Sequence, residues 1–265
     1  PDSGTQRPAV HWSRELSGIE IMREFEDKVA IVTGGGSGIG EVIALRLAEQ
    51  GARVIVTDID ESAAQRVVSR IEGGGGEGAA MKHDVASAEA AQAAVGLAEE
   101  RFGALHLAVN NAGIGGELSP VGEYGIDAWN RVIDINLNGV FYGMRYQIPA
   151  IERSGGGAIV NMASILGSVG TANSAAYVAA KHGVVGLTKA AALEYATRKI
   201  RINSVGPGYI DTPLLEALDD DTRTALIGLH PLGRLGAAGE VAELTLFLLS
   251  ERASFVTGSY HLVDG

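Results

Sequence analysis

From residue 28 onward, the chain alternates between two patterns of hydrophobic and polar residues. Short apolar runs rich in β-branched residues, such as Lys28–Thr33 and Arg53–Thr57, are typical of strands that are buried on both faces of a sheet. Longer segments with hydrophobic residues at helical spacing lie between them. This strict alternation predicts an α/β fold with a single doubly wound parallel sheet and helices on both faces. The predicted strands are 28–33, 53–57, 79–82, 105–109, 157–162, 200–205 and 259–263, and the predicted helices are 39–50, 61–72, 87–101, 127–153, 174–198 and 238–250.

The length and the beginning of the chain indicate one folded domain. A single α/β domain can reach 265 residues, and we expect one that spans 22–265. Residues 1–21 are polar and irregular, and Met22 stands where a natural start would be expected. We therefore interpret 1–21 as an N-terminal extension of vector-derived or upstream sequence.

One stretch, 206–237, is long and less regular than the rest. Loops of this length in compact domains are usually functional, so we expect a lid over a substrate site. Within 211–228 the pattern predicts two short helices whose leucines face the substrate. Asp221 is placed to cap the second helix, and Gly208 and Gly228 are candidate hinges.

The composition excludes several classes of function. The net charge of −11 at pH 7 disfavours nucleic acid as a partner, because nucleic-acid binders usually carry a basic stripe. No apolar run reaches the ~18 residues that span a bilayer, so no membrane partner is expected. The absence of cysteine excludes disulfides and thiolate sites, and the six histidines show no ligand spacing, so no metal site is predicted. We expect a cytoplasmic protein.

A glycine-rich turn, Thr33–Gly40, connects the first predicted strand to the first predicted helix. Its sequence T-G-G-G-S-G-I-G places Gly34, Gly38 and Gly40 at G-x-x-x-G-x-G spacing. Residues without a Cβ atom let a pyrophosphate approach the helix N-terminus, where free N–H groups and the helix dipole favour negative charge. The context of strand, turn and helix therefore predicts a dinucleotide-binding site.

Asp58 indicates which dinucleotide binds. It ends the second predicted strand, where an acidic residue about 20 positions after the first glycine binds the 2′-hydroxyl of the adenine-side ribose. A carboxylate there repels the 2′-phosphate of NADP, and the nearby Ser37 and Ile59 supply no positive charge. The sequence therefore predicts NAD as the cofactor.

Tyr177 and Lys181 are four residues apart in an Ala-rich segment that predicts a helix. This spacing places both side chains on one helix face, with Cβ atoms about 5–6 Å apart. A free tyrosine has a pKa of about 10 and is a poor base at neutral pH, but a nearby ammonium favours the phenolate and lowers that pKa. The pair is a candidate acid–base device, although Y-x-x-x-K alone is a weak signal.

Together with other short motifs, these residues resemble the short-chain dehydrogenase/reductase family. The similarity runs from about Lys28 to Gly265, and it implies a Rossmann fold of about seven strands and an enzyme that transfers hydride. The ordered set is far more specific than any one motif. In chain order the motifs are T-G-x-x-x-G-I-G at Thr33–Gly40, N-N-A-G at Asn110–Gly113, Asn136 in I-N-L-N-G-V-F, Ser164, Y-x-x-x-K at Tyr177–Lys181 and P-G at Pro207–Gly208.

The resemblance implies a catalytic set of four residues. Tyr177 would exchange a proton with the substrate oxygen, and Lys181 would lower the pKa of Tyr177 and bind the nicotinamide ribose. Ser164 would polarise the same substrate oxygen, and Asn136 would hold a water that connects Lys181 to solvent.

The resemblance also implies a set of cofactor-binding residues. Asp84 and Val85 would contact the adenine, 111–113 its ribose, and Ile210 and Thr212 the nicotinamide carboxamide, whereas Asn110 is expected to tie strands together. The full set is Gly34, Ser37, Gly38, Ile39, Gly40, Asp58, Ile59, Asp84, Val85, Asn111, Ala112, Gly113, Tyr177, Lys181, Pro207, Gly208, Ile210 and Thr212.

The residues predicted to line the substrate pocket are mostly apolar. This favours a neutral secondary alcohol or its ketone, hydrophobic or alicyclic, as the small-molecule substrate. The predicted residues are Ser164, Leu166, Val169, Tyr177, Tyr209, Leu214, Leu215 and Leu218, with Gly115–Leu118 near the mouth.

Two alternative functions stay open at this point. A 3-oxoacyl carrier-protein reductase resembles the overall layout and the R-L-G at Arg234–Gly236, but such enzymes usually take NADPH, which Asp58 disfavours. A non-catalytic dinucleotide-binding sensor or scaffold is disfavoured because the catalytic set is intact.

The predicted helix 174–198 also bears on assembly. Each glycine inside a helix costs about 1 kcal/mol relative to alanine, so we expect its small residues to serve a close approach. The resemblance suggests that this helix and 127–153 pair with their copies across a two-fold axis, and that dimers form a homotetramer. The small residues are Ala175, Ala176, Ala179, Ala180, Gly183 and Gly186.

Overall fold

The computed structural model describes residues 23–216 and 219–265, without the side chains of Leu214 and Glu216. The predicted N-terminal extension lies outside the described residues. None of the helices within these ranges could span a bilayer, since each is too short or too polar. The strands are β1 (Val29–Thr33), β2 (Arg53–Asp58), β3 (Gly78–Lys82), β4 (Leu107–Asn110), β5 (Gly157–Met162), β6 (Ile200–Pro207), β7 (Ile210–Asp211), β8 (Gly236–Ala237) and β9 (Tyr260–Val263). The helices are α1 (Gly38–Glu49), α2 (Glu61–Gly73), α3 (Ala88–Phe102), α4 (Ile126–Ile133), α5 (Gly139–Arg153), α6 (Ala175–Tyr195), α7 (Pro213–Glu216), α8 (Asp220–Gly228) and α9 (Ala238–Leu249).

Seven strands form one parallel sheet in the order β3-β2-β1-β4-β5-β6-β9. The predicted doubly wound sheet is therefore confirmed. The chain builds the sheet outward from β1 to β3 in one direction and from β4 onward in the other, so the order reverses between β1 and β4. Ligands of such sheets bind outside the carboxyl ends of the strands at this reversal.

Different helices cover the two faces of the sheet. On one face, α1, α2 and α9 pack over a buried cluster that includes Val32 and Leu47. On the other face, α3, α5 and α6 pack over a second cluster that includes Ile31 and Val184. Ile31 and Val32 are adjacent in β1 and point to opposite faces, which explains why the run of apolar residues in β1 is unbroken.

The helices α4 and α5 form one continuous helix with a π-helical turn between them, at Asp134–Asn138. The bounds agree with the predicted helix 127–153, but the hydrophobic pattern does not reveal the π turn. Such turns re-aim side chains and are frequent at functional sites. Here the turn carries Asn136, which is fully buried.

The segment after β6 contains two short helices and a small second sheet, in which β7 pairs with β8. Asp219 caps α8, because its Oδ1 accepts a hydrogen bond from the Thr222 amide at 2.7 Å. The prediction that Asp221 caps this helix is therefore wrong. Asp219 has extended backbone at the helix entrance, whereas Asp221 lies within the first turn.

Candidate active site

The predicted site residues gather at the carboxyl edge of the sheet. The glycine-rich turn follows β1, Asn111–Gly113 follow β4, Ser164 follows β5, and Pro207–Gly208 lie at the end of β6. Asp58 ends β2. Because these strands are neighbours in the sheet, motifs from distant parts of the chain meet at one edge.

The glycine-rich turn has a conformation that requires glycine. Gly34 and Gly38 have φ angles of +60° and +56°, in the left-handed region that disfavours a side chain. A Cβ atom at Gly40 would lie 2.5 Å from Asn111 Nδ2. Within the described ranges, the Ser37 side chain makes no capping hydrogen bond to the first turn of α1. The amides of that turn are therefore available to an anion.

Asp58 holds the glycine-rich turn from the neighbouring strand. Its Oδ2 accepts a hydrogen bond from the Gly36 amide at 3.0 Å, and its Oδ1 accepts one from the Asp60 amide at 3.1 Å. A Cβ atom at Gly36 would lie 2.9 Å from Oδ2, so this approach requires glycine. The Ile59 side chain beside Asp58 is exposed. The carboxylate is therefore fixed next to the turn where the predicted ribose would bind.

The buried Thr33 hydroxyl joins the ends of β1 and β4. Its Oγ1 accepts hydrogen bonds from the amides of Asn111 and Ala112 at 3.0 and 3.2 Å. In return, Asn111 Nδ2 donates to the carbonyls of Thr33 and Gly34 at 3.0 and 3.1 Å. These bonds hold the N-N-A-G motif against the glycine-rich turn. The sequence analysis missed this role of Thr33, because only the strand order brings the two motifs together.

Asn110 belongs to a buried polar network behind the site. Its Nδ2 donates to Gln147 Oε1 and Asn161 Oδ1 at 3.1 and 2.9 Å, and Gln147 Nε2 donates back to Asn110 Oδ1 at 2.9 Å. Asn161 Nδ2 donates to Thr188 Oγ1 at 2.9 Å. The network links β4, β5, α5 and α6, and its bond from Asn110 in β4 to Asn161 in β5 confirms the prediction that Asn110 ties strands together.

Asp84 and Val85, which are predicted to contact the adenine, follow β3. This strand pairs with β2, and Lys82 lies opposite Asp58. Asp84 is exposed, and its Oδ1 accepts a hydrogen bond from the Ala86 amide at 3.0 Å. Val85 is buried against the start of α5, where a Cβ atom at Gly139 would lie 3.0 Å from it. The exposed carboxylate and the buried valine thus lie at the same edge as Asp58.

Asn136 fixes the loop after β4. Its Oδ1 accepts a hydrogen bond from the Ile114 amide at 2.8 Å, and its Nδ2 donates to the Ile114 carbonyl at 2.7 Å. A Cβ atom at Gly113 would lie 2.9 Å from Asn136 Oδ1 and 3.6 Å from Lys181 Nζ, so these residues meet. Ile114 uses both polar ends of the Asn136 side chain. A water relay to Lys181 would have to use the main-chain carbonyl of Asn136, and the relay stays a prediction.

Ser164, Tyr177 and Lys181 meet where β5 ends beside α6. The Ser164 hydroxyl is near enough to the Tyr177 phenol to lower the pKa of that phenol, and Ser164 Oγ accepts a hydrogen bond from the Leu166 amide at 3.2 Å. Lys181 is buried, with Nζ 5.5 Å from the centroid of the Tyr177 ring. Nζ also donates to the Met162 carbonyl at 2.8 Å. The spacing of Tyr177 and Lys181 places both on one side of α6, as predicted.

Burial shifts the pKa values of both Tyr177 and Lys181. Burial raises the pKa of Tyr177 because the phenolate loses hydration, while the nearby Ser164 hydroxyl acts in the opposite direction. The nearby phenols of Tyr209 and Tyr260 raise this pKa further. Burial also lowers the pKa of Lys181 to about 8. Burial therefore dominates the pKa of Tyr177 in the protein alone, and the expected lowering of this pKa by Lys181 stays a prediction.

The segment after β6 lies over the glycine-rich turn. A Cβ atom at Gly38 would lie 3.5 Å from the Thr212 Cβ atom. An ion pair of 2.9 Å between Arg223 and Asp211 ties α8 to β7. The Ile210 side chain is buried in the core, so only the main chain of Ile210 is available to a cofactor. The structure therefore brings Thr212, but not the Ile210 side chain, to the predicted cofactor site.

The loops after β4 and β5 form an apolar rim at the carboxyl edge of the sheet. Leu118 and Val169 are 79 % and 53 % exposed, and the loops that carry them are joined by a hydrogen bond of 2.9 Å from the Ser119 amide to the Asn173 carbonyl. The other predicted pocket residues are only partly described. Leu166, Tyr209 and Leu215 are half-buried, whereas the Leu214 side chain and the whole of Leu218 lie outside the described residues.

Comparisons with known proteins identify the family. A family model described as Enoyl-(Acyl carrier protein) reductase, adh_short_C2, matches residues 34–265. The cyclohexanol dehydrogenase of Acinetobacter sp. (strain SE19) is 57% identical over 245 residues, which cover 92% of this chain and 96% of that protein. The chain belongs to the short-chain dehydrogenase/reductase family.

Other members of the short-chain dehydrogenase/reductase family are also similar along most of their length. The cis-4-hydroxycyclohexanecarboxylate dehydrogenase of Sinomonas cyclohexanicum is 44% identical over 241 residues, 91% of this chain and 96% of that protein. The crystal structure of levodione reductase has a TM-score of 0.87 at 36% identity and covers 91% of this chain and 97% of that chain. This short-chain dehydrogenase/reductase is therefore an oxidoreductase of the alcohol dehydrogenase type, which uses a nicotinamide dinucleotide.

The residues of this short-chain dehydrogenase/reductase fit such a cofactor. The uncapped first turn of α1 offers amides to a pyrophosphate, and the left-handed Gly34 and Gly38 leave the approach free of side chains. Within 23–216 and 219–265, no cluster of three His, Asp or Glu side chains could hold a metal ion. A cavity of about 490 Å³ lies at the opposite edge of the sheet, beside Lys28 and His106, and it is separate from this site.

Sequence analysis missed two residues that support the site of this short-chain dehydrogenase/reductase. The Tyr260 hydroxyl donates a hydrogen bond to the Ser164 carbonyl, and His230 Nε2 accepts one from the Tyr209 amide at 3.2 Å. Neither residue lies in a motif, and both contacts span long stretches of chain. The sequence offers one local indication of these contacts, which is Gly208 in the P-G motif before Tyr209. Its missing side chain leaves room for His230.

Proposed function

We propose that this enzyme oxidises an alicyclic secondary alcohol to the ketone with NAD, and that Tyr177 is the acid–base. The observation that carries the proposal is the convergence of Ser164, Tyr177 and Lys181 where β5 ends beside α6, with the Lys181 ammonium 5.5 Å from the centroid of the Tyr177 ring. When bound, the nicotinamide accepts the hydride from the carbinol carbon. The protein has to remove the hydroxyl proton and hold the oxygen.

The three side chains divide this work. The Ser164 hydroxyl donates a hydrogen bond to the substrate oxygen and so stabilises the developing alkoxide. Tyr177 Oη takes the proton from the hydroxyl group. Lys181, buried against the Tyr177 ring, stabilises the phenolate that accepts this proton. In ketone reduction the same proton moves from Tyr177 to the carbonyl oxygen.

The choice of NAD over NADP rests on Asp58. Its carboxylate is held at the glycine-rich turn by the amides of Gly36 and Asp60, so its negative charge cannot swing away. A 2′-phosphate next to a fixed carboxylate is disfavoured by like-charge repulsion, and the adjacent Ile59 offers no positive charge.

Two observations support an alicyclic substrate. The relatives from Acinetobacter and Sinomonas are named for cyclohexanol and for a hydroxycyclohexanecarboxylate, and the rim residues Leu118 and Val169 are apolar and exposed. The carrier-protein alternative is weakened by Arg234, whose guanidinium donates to both carboxylate oxygens of Glu240 at 2.7 Å. A cation paired in this way is poorly suited to attract an acidic carrier protein.

A homotetramer is part of the proposal. The glycine at position 183 is required by packing inside one chain, since a Cβ atom there would lie 2.9 Å from the Leu137 side chain. However, Ala179, Gly186 and Leu193 are exposed on one stripe of α6, and Leu193 is 85 % exposed. Such a stripe is suited to a second copy of the chain. A monomer mass of 27.4 kDa in light scattering at micromolar concentration would contradict this assembly.

The experiment is a screen of secondary alcohols by NADH absorbance. Cyclohexanol and cis-4-hydroxycyclohexanecarboxylate are compared with 2-propanol, and the reverse reaction is measured with the ketones. We expect kcat/KM for the cyclic alcohols to exceed that for 2-propanol by at least about tenfold. Turnover of a 3-oxoacyl thioester with NADPH in preference to every alcohol would contradict the proposal.

A further inference from the structure

His230 is a buried histidine whose two ring nitrogens are both engaged. Nε2 accepts a hydrogen bond from the Tyr209 amide at 3.2 Å. Nδ1 lies 2.9 Å from the Leu226 carbonyl, which can only accept, so Nδ1 carries the proton. The histidine is therefore held as the neutral Nδ1–H tautomer. One ring joins the end of α8 to the residue that follows the P-G turn.

The approach of His230 to this turn is close. A Cβ atom at Gly208 would lie 2.8 Å from His230 Nε2, so any other residue at 208 would displace the imidazole. Gly208 is required for this contact, and the contact accounts for the glycine that the sequence analysis interpreted as a hinge. The His230 and Tyr209 rings also meet edge to face, with centroids 5.8 Å apart, a favourable aromatic geometry.

The main chain of Tyr209 lies at the start of the segment that follows β6 and covers the glycine-rich turn. Its carbonyl accepts a hydrogen bond from the Gly236 amide at 3.0 Å, so its main chain is held from two sides. Three residues further along the chain, Thr212 lies over Gly38 of the glycine-rich turn. A shift of the Tyr209 backbone would therefore move both the phenol ring and Thr212.

We infer that His230 is a positioning residue that fixes Tyr209 as a wall of the substrate pocket and thereby sets the preference for cyclic substrates. This inference rests on the proposed alcohol oxidation for its kinetic part, but not for its structural part. A fixed aromatic wall contributes packing to a six-membered ring that a three-carbon alcohol cannot use. Loss of that packing lowers the affinity for the ring and not the rate of the proton transfer.

Two polar substitutions separate this role from general packing. In His230→Gln, the longer side chain reaches the position of Nε2 and can still accept the Tyr209 N–H bond. In His230→Asn, the shorter side chain can still donate to the Leu226 carbonyl but cannot reach Tyr209. Both keep a polar amide at the site, so both are expected to fold.

The expected results differ between the two variants. In His230→Asn, we expect KM for cyclohexanol to rise at least about tenfold, with kcat within about threefold of wild type and with kinetics for 2-propanol little changed. In His230→Gln, the ratio of kcat/KM for cyclohexanol and 2-propanol stays within about threefold of wild type. Amide hydrogen exchange at Tyr209, measured without any substrate, should accelerate in His230→Asn and not in His230→Gln.

His106 provides a matched control. Its Nδ1 also accepts a hydrogen bond from a backbone amide, that of Val29 at 3.1 Å, but at the opposite edge of the sheet. By the same geometry, His106→Gln loses the acceptor at the Nδ1 position and should lower the melting temperature without changing the ratio of the two alcohols. Equal alcohol ratios and equal Tyr209 exchange in His230→Asn and His230→Gln would overturn the inference. Absence of alcohol oxidation by the wild type would instead refute the proposed function, and the exchange data would still decide the role of His230.

Discussion

The Tyr260 hydroxyl donates a hydrogen bond to the main-chain carbonyl of Ser164. Tyr260 begins β9, the last strand of the sheet, and its ring lies against Gly206 and Gly167, where Cβ atoms would lie 2.5 and 3.5 Å from its oxygen. Burial raises the pKa of this phenol, so it remains a donor at neutral pH. The last strand therefore holds the backbone from which the Ser164 hydroxyl projects.

Removing this hydroxyl should impair catalysis without removing any reacting group. In Tyr260→Phe, we expect kcat/KM to fall about fivefold, because the loss of one part-buried hydrogen bond costs about 1 kcal/mol and lets the Ser164 backbone shift. Steady-state kinetics measure this, with Tyr195→Phe at the far end of α6 as the control. Wild-type kinetics in Tyr260→Phe would show that the Ser164 backbone does not need this bond.

The charge of Asp58 should decide between the two nicotinamide dinucleotides. We expect wild-type kcat/KM with NAD to exceed that with NADP by at least about tenfold, or ~1.4 kcal/mol. Asp58→Asn removes the charge and keeps an oxygen that can accept one of the two amide hydrogen bonds, so it should reduce the ratio of kcat/KM with NAD to that with NADP. Asp60→Asn is the control, because asparagine caps α2 as well as aspartate does and the same charge is lost. If NADP is used equally well by the wild type, the assignment of NAD is wrong.

Tyr177 should account for most of the chemical rate. Tyr177→Phe keeps the ring and removes the proton carrier, so we expect kcat to fall by about two to four orders of magnitude with NAD affinity nearly unchanged in calorimetry. Since the protein's own groups raise the pKa of Tyr177, the phenol is protonated at neutral pH. The kcat/KM for alcohol oxidation should therefore rise with pH, and that for ketone reduction should fall. A variant with wild-type kcat would exclude Tyr177 as the acid–base.

Lys181 should make folding stability depend on alkaline pH. Its folded pKa is about 8 against 10.5 for an exposed lysine, so between these values the unfolded chain binds more protons than the folded protein. The free energy of unfolding should therefore rise with pH in this window, and the penalty of the buried charge is fully present below about pH 8. In Lys181→Met this contribution to the pH dependence of stability is absent. Urea denaturation at about pH 7.5 and pH 9.5 measures the free energy of unfolding of both proteins, and wild type minus variant should rise by about 1–2 kcal/mol between these pH values. If this difference is the same at both pH values, Lys181 stays charged in the folded protein.

Cofactor binding should slow hydrogen exchange in α8. Thr212 lies over the glycine-rich turn, and the ion pair between Asp211 and Arg223 connects that region to α8. We expect protection of 219–228 to rise with NAD and to rise further with a substrate analogue, while α3 serves as an internal reference. Identical exchange in all three states would show that α8 is a fixed wall and not part of a lid.

The sequence predicted the sheet and most of the site for a physical reason. A strand buried on both faces is an almost unbroken apolar run, as at Val29–Val32 of β1, and a tight phosphate-binding turn needs glycine, as at Gly34 and Gly38. These requirements act on neighbouring residues, so they are visible in the sequence. The i, i+4 geometry of Tyr177 and Lys181 is local in the same way.

Other features depend on contacts that are remote in the chain. The sign of the pKa shift of Tyr177 follows from how deeply the folded chain buries it, which residue spacing does not encode. Tyr260 reaches Ser164, and His230 reaches Tyr209, only because β9 and α8 pack where they do. The π turn at Asn136 likewise preserves the hydrophobic pattern of a regular helix. Asp219 and not Asp221 caps α8, since adjacent aspartates have equal capping ability and the chain path chooses between them.

The pairing of β7 with β8 has a consequence for protein engineering. The Gly236 amide bonds to the Tyr209 carbonyl at 3.0 Å, so the segment 210–235 leaves the body of the enzyme and returns to it at the same place. A segment with adjoining ends can be exchanged for that of a relative, even one of different length, at a modest cost in loop-closure entropy. The glycine-rich turn and the acid–base pair of Tyr177 and Lys181 lie outside the exchanged segment 210–235. Chimaeras cut at these two points should thus acquire the donor's substrate range while keeping the recipient's nucleotide preference.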